Sequence, residues 1–126
     1  MTQLRELYRC EICGNVVEIA HEGASDLVCC GKPMVKLEAK TEDEGREKHV
    51  PVIEEAGSGI KVKVGSIAHP MEDKHYIKFI EILRKDRIMR KELRPGQAPE
   101  VKCHAPKSDV IEVREFCTVH GLWKNK

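Results

Sequence analysis

Ile60-Lys61-Val62-Lys63-Val64 alternates strictly between apolar and charged residues. A two-residue period puts Ile60, Val62 and Val64 on one face and the lysines on the other, which predicts a half-buried strand. Just before it, Val50-Pro51-Val52-Ile53-Glu54 reads as a second strand, joined to the first through Gly57-Ser58-Gly59. Two such runs around a glycine loop predict a hairpin. Pro51 has no amide hydrogen for a ladder, so its segment belongs at a strand start or a sheet edge. Further on, Tyr76, Phe79, Ile80 and Leu83 could form a helical face, yet the aromatic and β-branched content of 76–83 favours a strand buried on both sides. Residues 94–99, Arg-Pro-Gly-Gln-Ala-Pro, form a loop, and Val110–Cys117 is a strand that ends on a cysteine. Short strands separated by turns predict an all-β chain with an antiparallel β-sandwich over residues 49–126. No internal repeat or low-complexity segment is visible.

Residues 1–37 read as a separate, smaller unit. Leu4, Leu7 and Tyr8 lead into Cys10-Glu11-Ile12-Cys13-Gly14, a Cys-x-x-Cys knuckle in which Gly14 permits a tight turn around a metal. Val16-Val17-Glu18-Ile19 is a short strand, and Glu22-Gly23-Ala24-Ser25 a turn beside a solvated His21. Cys29-Cys30-Gly31 then brings a second pair of thiols, separated from the first pair by fifteen residues. Cys10, Cys13, Cys29 and Cys30 make a tetrahedral four-cysteine site suited to zinc or a single iron. Too few apolar residues are present for a core, so bound metal must supply much of the folding free energy. The adjacent pair departs from a zinc ribbon, and two neighbouring thiolates should distort the tetrahedron. Residues 38–48 are charged and nearly free of apolar side chains, as in a linker.

The second cluster of metal-binding residue types is split along the chain. It comprises Glu47-Lys48-His49, then His69-Pro70-Met71-Glu72-Asp73-Lys74-His75, then Cys117-Thr118-Val119-His120. Four imidazoles and one thiolate suggest a five-coordinate transition-metal site; this donor set suits iron, copper or zinc and excludes magnesium and calcium. A closed structural zinc site takes four ligands, so a redox metal with an open position is the better reading. Cys103 and His104 read as strand or loop residues without ligand partners.

The formal net charge is only +1, which argues against a nucleic-acid partner and leaves any steering of a charged substrate to local groups. No apolar run is long enough to span a bilayer, and the first residues lack the apolar core of a signal peptide. The expected setting is cytoplasmic, where the six cysteines stay reduced and bind metal rather than pair as disulfides.

Together these residues resemble the desulfoferrodoxins, the two-iron superoxide reductases. The matching pieces are Cys10-Glu-Ile-Cys13 with Cys29-Cys30, Glu47-Lys48-His49-Val50-Pro51-Val52, Lys61-Val-Lys-Val-Gly65, Ala68-His69-Pro-Met71, Lys74-His75-Tyr76, Pro95-Gly-Gln-Ala-Pro99 and Cys117-Thr-Val-His120-Gly121 with Trp123. They span essentially the whole chain. The resemblance implies a desulforedoxin-like domain followed by an immunoglobulin-like β-sandwich, usually as a homodimer. It assigns one iron to Cys10, Cys13, Cys29 and Cys30, and the catalytic iron to His49, His69, His75, His120 and Cys117. It further implies reduction of superoxide to hydrogen peroxide, with re-reduction by an external donor such as rubredoxin.

The residue types suit that chemistry. Four neutral imidazoles and one thiolate leave a divalent ion with a net charge of about +1, which attracts an anion to the open position. A thiolate on the opposite axis pushes electron density towards that position, as cysteine does in haem enzymes. Lys48 is expected to draw the anion in and orient a water that supplies a proton. Glu47 resembles the glutamate that closes onto the site after oxidation. Tyr76 and Trp123 are expected to pack around the site. Two other classes compete: a two-iron electron carrier without catalysis, disfavoured by the open position, and a zinc-stabilised binding module.

Overall fold

The computed structural model describes residues 1–42, 48–65 and 69–125. It divides into two compact units, Met1–Glu38 and Ala39–Lys126.

In the first unit, β1 (Leu7–Arg9) lies between β2 (Val16–Glu18) and β5 (Val35–Lys36), antiparallel to both. A two-stranded hairpin, β3 (Val28–Cys29) and β4 (Lys32–Pro33), completes the same unit. The buried apolar residues are only Leu7, Cys10 and Ile19, which is the sparse core expected of a metal-stapled unit. Leu4, Ile12, Val17, Val28 and Val35 are all exposed.

The second unit is the antiparallel sandwich. Its strands are β6 (Pro51–Ala56), β7 (Gly59–Val64), β8 (Ile77–Arg84), β9 (Ile88–Glu92), β10 (Glu100–Cys103), β11 (Val110–Cys117) and β12 (Gly121–Lys124). One sheet has the order β10-β7-β6 and the other β12-β11-β8-β9. The chain therefore crosses between sheets after β7, β9 and β10, giving the three-plus-four arrangement of an immunoglobulin-like fold. The β6–β7 hairpin forms as the alternation requires, with Pro51 opening the edge strand β6. Ile60, Val62 and Val64, with Val101 beside them on β10, pack against Ile77, Ile80, Ile82, Val113 and Cys117 of the other sheet.

β8 is buried on both sides. Only Lys78 is exposed along Ile77–Leu83, and it sits at a bulge between the Phe116↔Phe79 and Cys117↔Ile77 pairs. One extra residue shifts the alternation, so Ile77 joins Ile80 and Ile82 on the core face and Cys117 is drawn inward opposite it. On the other face the wholly buried Glu81 accepts hydrogen bonds from Arg90 Nε at 2.7 Å and Arg114 Nε at 2.6 Å, which balances its charge.

β9 and β12 are additions to the strands read from sequence, and residues 101–103 fall within the strand β10. Lys40, inside the charged stretch, is also tied to the sandwich. Its amide donates to Leu122 O at 3.0 Å, and its carbonyl accepts from Lys124 N at 2.9 Å.

Candidate metal centres

The four N-terminal cysteines meet at two turns. After β1, Gly14 at φ +85° lets its amide reach Cys10 O at 2.9 Å, folding the knuckle so that Cys13 N points at Cys10 Sγ. The second turn joins β3 to β4, with Cys30 at φ +53° and Gly31 at φ +75°. A left-handed cysteine is strained, and that strain is how two consecutive thiols turn to one point. Cys13 and Cys29 Sγ are 3.6 Å apart and Cys29 and Cys30 Sγ 4.0 Å. Four ligands at about 2.3 Å in a tetrahedron lie about 3.8 Å apart, so the spacing fits a thiolate-bound zinc or iron ion.

The thiols are electrostatically unequal. The Cys13 amide, aimed at its sulfur, brings Cys10 down to about 6, while the facing Cys13, Cys10 and Cys29 push Cys30 up to about 12. Four clustered thiolates need a cation, and a bound metal ion supplies it. Cys10 is buried, whereas Cys13 and Cys30 face solvent.

The second centre lies in the sandwich unit. Cys117 ends β11 at 0% exposure, and the Cys117–His120 turn points the His120 amide at its sulfur, 3.4 Å away. Pairing of β8 with β11 continues past the strands, because Thr118 N donates to Tyr76 O at 3.0 Å and Tyr76 N to Thr118 Oγ1 at 3.2 Å. This places His75 beside Cys117. Reciprocal backbone bonds between Glu72 and His75, 2.9 and 3.0 Å, close the loop that follows His69.

The four imidazoles form a closed ring of neighbours. His49–His69, His69–His75, His75–His120 and His120–His49 have centroids 4.8, 4.8, 4.9 and 4.7 Å apart, at interplanar angles of 71°, 86°, 69° and 77°. Such a propeller presents one nitrogen from each ring to a common centre. His49 Nε2 and His120 Nδ1 are 3.0 Å apart, the separation of adjacent ligands at right angles on bonds of about 2.1 Å. Cys117 Sγ lies off this square, 3.5 Å from His69 Nε2 and 3.8 Å from His120 Nδ1. His69 Nδ1 donates to Pro70 O at 2.7 Å, which leaves the Nε2 lone pair for the centre. His75 Nε2 is buried with no hydrogen-bond partner among the described residues, and a metal bond would satisfy it. All five donors fall within 4.8 Å of one another.

Burial tunes these groups for metal. It holds His69 down at about 4, helped by the neighbouring imidazoles, so the ring is neutral and ready to ligate at neutral pH. Burial lowers His75 too, and His120 and Lys48 add to the shift. Burial raises Cys117, so ionising this thiol calls for a cation. The thiolate side is deep in the core, His49 and His75 are half-buried, and His120 is exposed. The arrangement is a ring of four imidazoles gathered around a buried thiolate, with His120 its most exposed member among the described residues.

The structure thus brings all nine sequence-predicted ligands into two groups. Lys48 lies near enough for its charge to be felt at His75, and Glu47 lies outside the described residues. Trp123 packs as expected, stacking on His49 at 4.6 Å and 16°. Cys103 and His104 join neither group. Sequence reasoning missed Lys40, whose ammonium lies over the Trp123 ring at 4.9 Å; a lysine in a charged stretch gives no signal of that.

Comparison with known proteins agrees with this geometry. The desulfoferrodoxin family model matches residues 41–126, and the model of the desulfoferrodoxin N-terminal domain matches residues 2–37. The chain belongs to the desulfoferrodoxin family. It is 51% identical to a desulfoferrodoxin of Syntrophotalea carbinolica, over 100% of this chain and 99% of that protein. It is 50% identical to a desulfoferrodoxin homolog of Archaeoglobus fulgidus, over 99% of both chains. The crystal structure of the superoxide reductase from Treponema pallidum superposes with a TM-score of 0.76 at 34% identity, covering 96% of this chain and 97% of that one. The four-cysteine group and the histidine–cysteine group match the two-iron desulfoferrodoxin sites. Among the described residues no helix is long and apolar enough to cross a membrane.

Proposed function

We propose that this desulfoferrodoxin is a superoxide reductase acting at the histidine–cysteine group, with Cys10, Cys13, Cys29 and Cys30 holding a second iron. The observation that carries the reading is the wholly buried Cys117 set among four steeply inclined imidazoles, all five donors within 4.8 Å of one another. The reaction takes superoxide, one electron and two protons to hydrogen peroxide. Ferrous iron bound by His49, His69, His75, His120 and Cys117 would supply the electron.

The chain's residues do the rest. Cys117 would lend electron density to an iron held there, and the His120 amide directed at its sulfur would moderate that push. His69, locked by Pro70 O, keeps its ligand nitrogen aimed at the centre. Lys48 draws the anion towards the open side and holds a water there as proton source. Glu47 is assigned as the carboxylate that caps the open side between turnovers. A rubredoxin-like protein restores the electron, in a cytoplasmic setting that keeps the thiols reduced, and the working form is a homodimer.

A steady superoxide flux with reduced rubredoxin tests the proposal. The expected result is one rubredoxin oxidised per superoxide consumed, with the coupling abolished in Cys117→Ser. Rubredoxin oxidation that ignores superoxide would instead make the protein an electron carrier.

A further inference from the structure

Lys40 makes two contacts that converge on one side of the imidazole square. Its ammonium sits 4.9 Å from the centroid of the Trp123 ring, and Trp123 in turn stacks on His49. The same ammonium donates to the carbonyl oxygen of His120 at 3.4 Å. His49 and His120 are the two rings whose nitrogens approach to 3.0 Å. One cation thus bears on two adjacent ligands, through an aromatic plane on one and through the backbone of the other. Its own backbone is pinned on both sides, by Leu122 O and by Lys124 N, so the ammonium starts from a fixed point.

We propose that Lys40 is a positioning residue of the histidine–cysteine site, a cation that clamps Trp123 against His49 and restrains the His120 carbonyl. A cation over the indole face holds that face electrostatically, and a stacked indole limits rotation of the imidazole beneath it. The charge also lies behind two ligands, where it opposes any gain of positive charge at the centre. Removing it favours the oxidised state and lowers the reduction potential. The inference rests on the proposed metal site but not on superoxide as its substrate.

The test compares Lys40→Met with Lys40→Arg in the iron-loaded full-length protein, using three readouts. Lys40→Met keeps the chain length without charge, and Lys40→Arg keeps the charge. The first readout is the midpoint potential of the iron bound by the histidines and Cys117, expected to fall in Lys40→Met and to stay at the wild-type value in Lys40→Arg. The second is loss of that iron to a chelator, expected to be about two- to fivefold faster in Lys40→Met, the change a surface cation–π contact supports. The third is Trp123 emission in metal-free protein. As the chain's one tryptophan it reports the clamp directly, and the neutral quencher acrylamide should quench it more in Lys40→Met alone. Wild-type behaviour of Lys40→Met in all three readouts would overturn the proposal. Equal loss in both variants would also overturn it, because the shape of the side chain rather than its charge would then matter. A failure to reduce superoxide with these three results intact would refute the proposed activity and leave the clamp standing.

Discussion

Replacing Lys48 by methionine removes one positive charge whose field reaches His75 and keeps most of the side chain's bulk. Lys48 precedes His49 directly, and its charge contributes to the depressed His75 imidazole, so it bears on the square itself. For an ammonium about 8 Å from the centre, at an effective dielectric constant of about 40, a unit charge is worth about 1 kcal/mol to an approaching anion. The second-order rate with superoxide, measured by pulse radiolysis at low salt, should fall about fivefold. The Debye length is about 10 Å at 0.1 M ionic strength, so added salt should shrink the difference between variant and wild type. Lys48→Arg should keep the rate. An unchanged rate in Lys48→Met, or a deficit that salt leaves untouched, would refute the steering argument.

Acid should weaken the metal-free sandwich through His69. Its folded value, about 4, lies below the ordinary 6.5, so the unfolded chain binds the proton first. Stability should therefore be full above about pH 6.5 and decline towards pH 4 by up to about 3 kcal/mol, seen as a falling denaturant midpoint that His69→Gln flattens. Stripping metal should unfold the first unit and spare the second, with amide protection lost at Leu7 and Ile19 and kept along β8 and β11. In Gly59→Ala the new Cβ would lie 2.1 Å from Cys103 O, a backbone atom of the paired strand β10. Thermal or urea unfolding should show a loss of at least about 2 kcal/mol, since β7 and β10 must part to admit it.

The sandwich was legible where burial imposes a period. Ile60, Val62 and Val64 declare one buried face, and 76–83 reads as a doubly buried strand because so few of its residues are polar. β9 was not legible, because Arg90-Lys91-Glu92 is an exposed edge whose partner is chosen by tertiary pairing with β8. β12 is four residues long, and its pairing depends on the turn at Gly121, φ +85°. The bulge at Lys78 is likewise set by the pairing of β8 with β11 and leaves no mark on either strand alone. The ligands could be read because cysteine and histidine cluster in few places. The order of the imidazoles around the ring could not, since it follows from strand register and loop closure. Lys40 shows the same limit: composition placed it in a linker, and only its backbone pairing with β12 brings it to Trp123.

Single-turnover stoichiometry tests the central claim most directly. Anaerobically reduced, iron-loaded protein would receive a known pulse of superoxide while peroxide, dioxygen and the oxidation state of each iron are followed. A reductase gives one peroxide per superoxide, no dioxygen, and oxidised iron at the histidine–cysteine site. Dioxygen at half the superoxide consumed would mean dismutation, and superoxide decaying at its uncatalysed rate would remove the open site from the chemistry altogether.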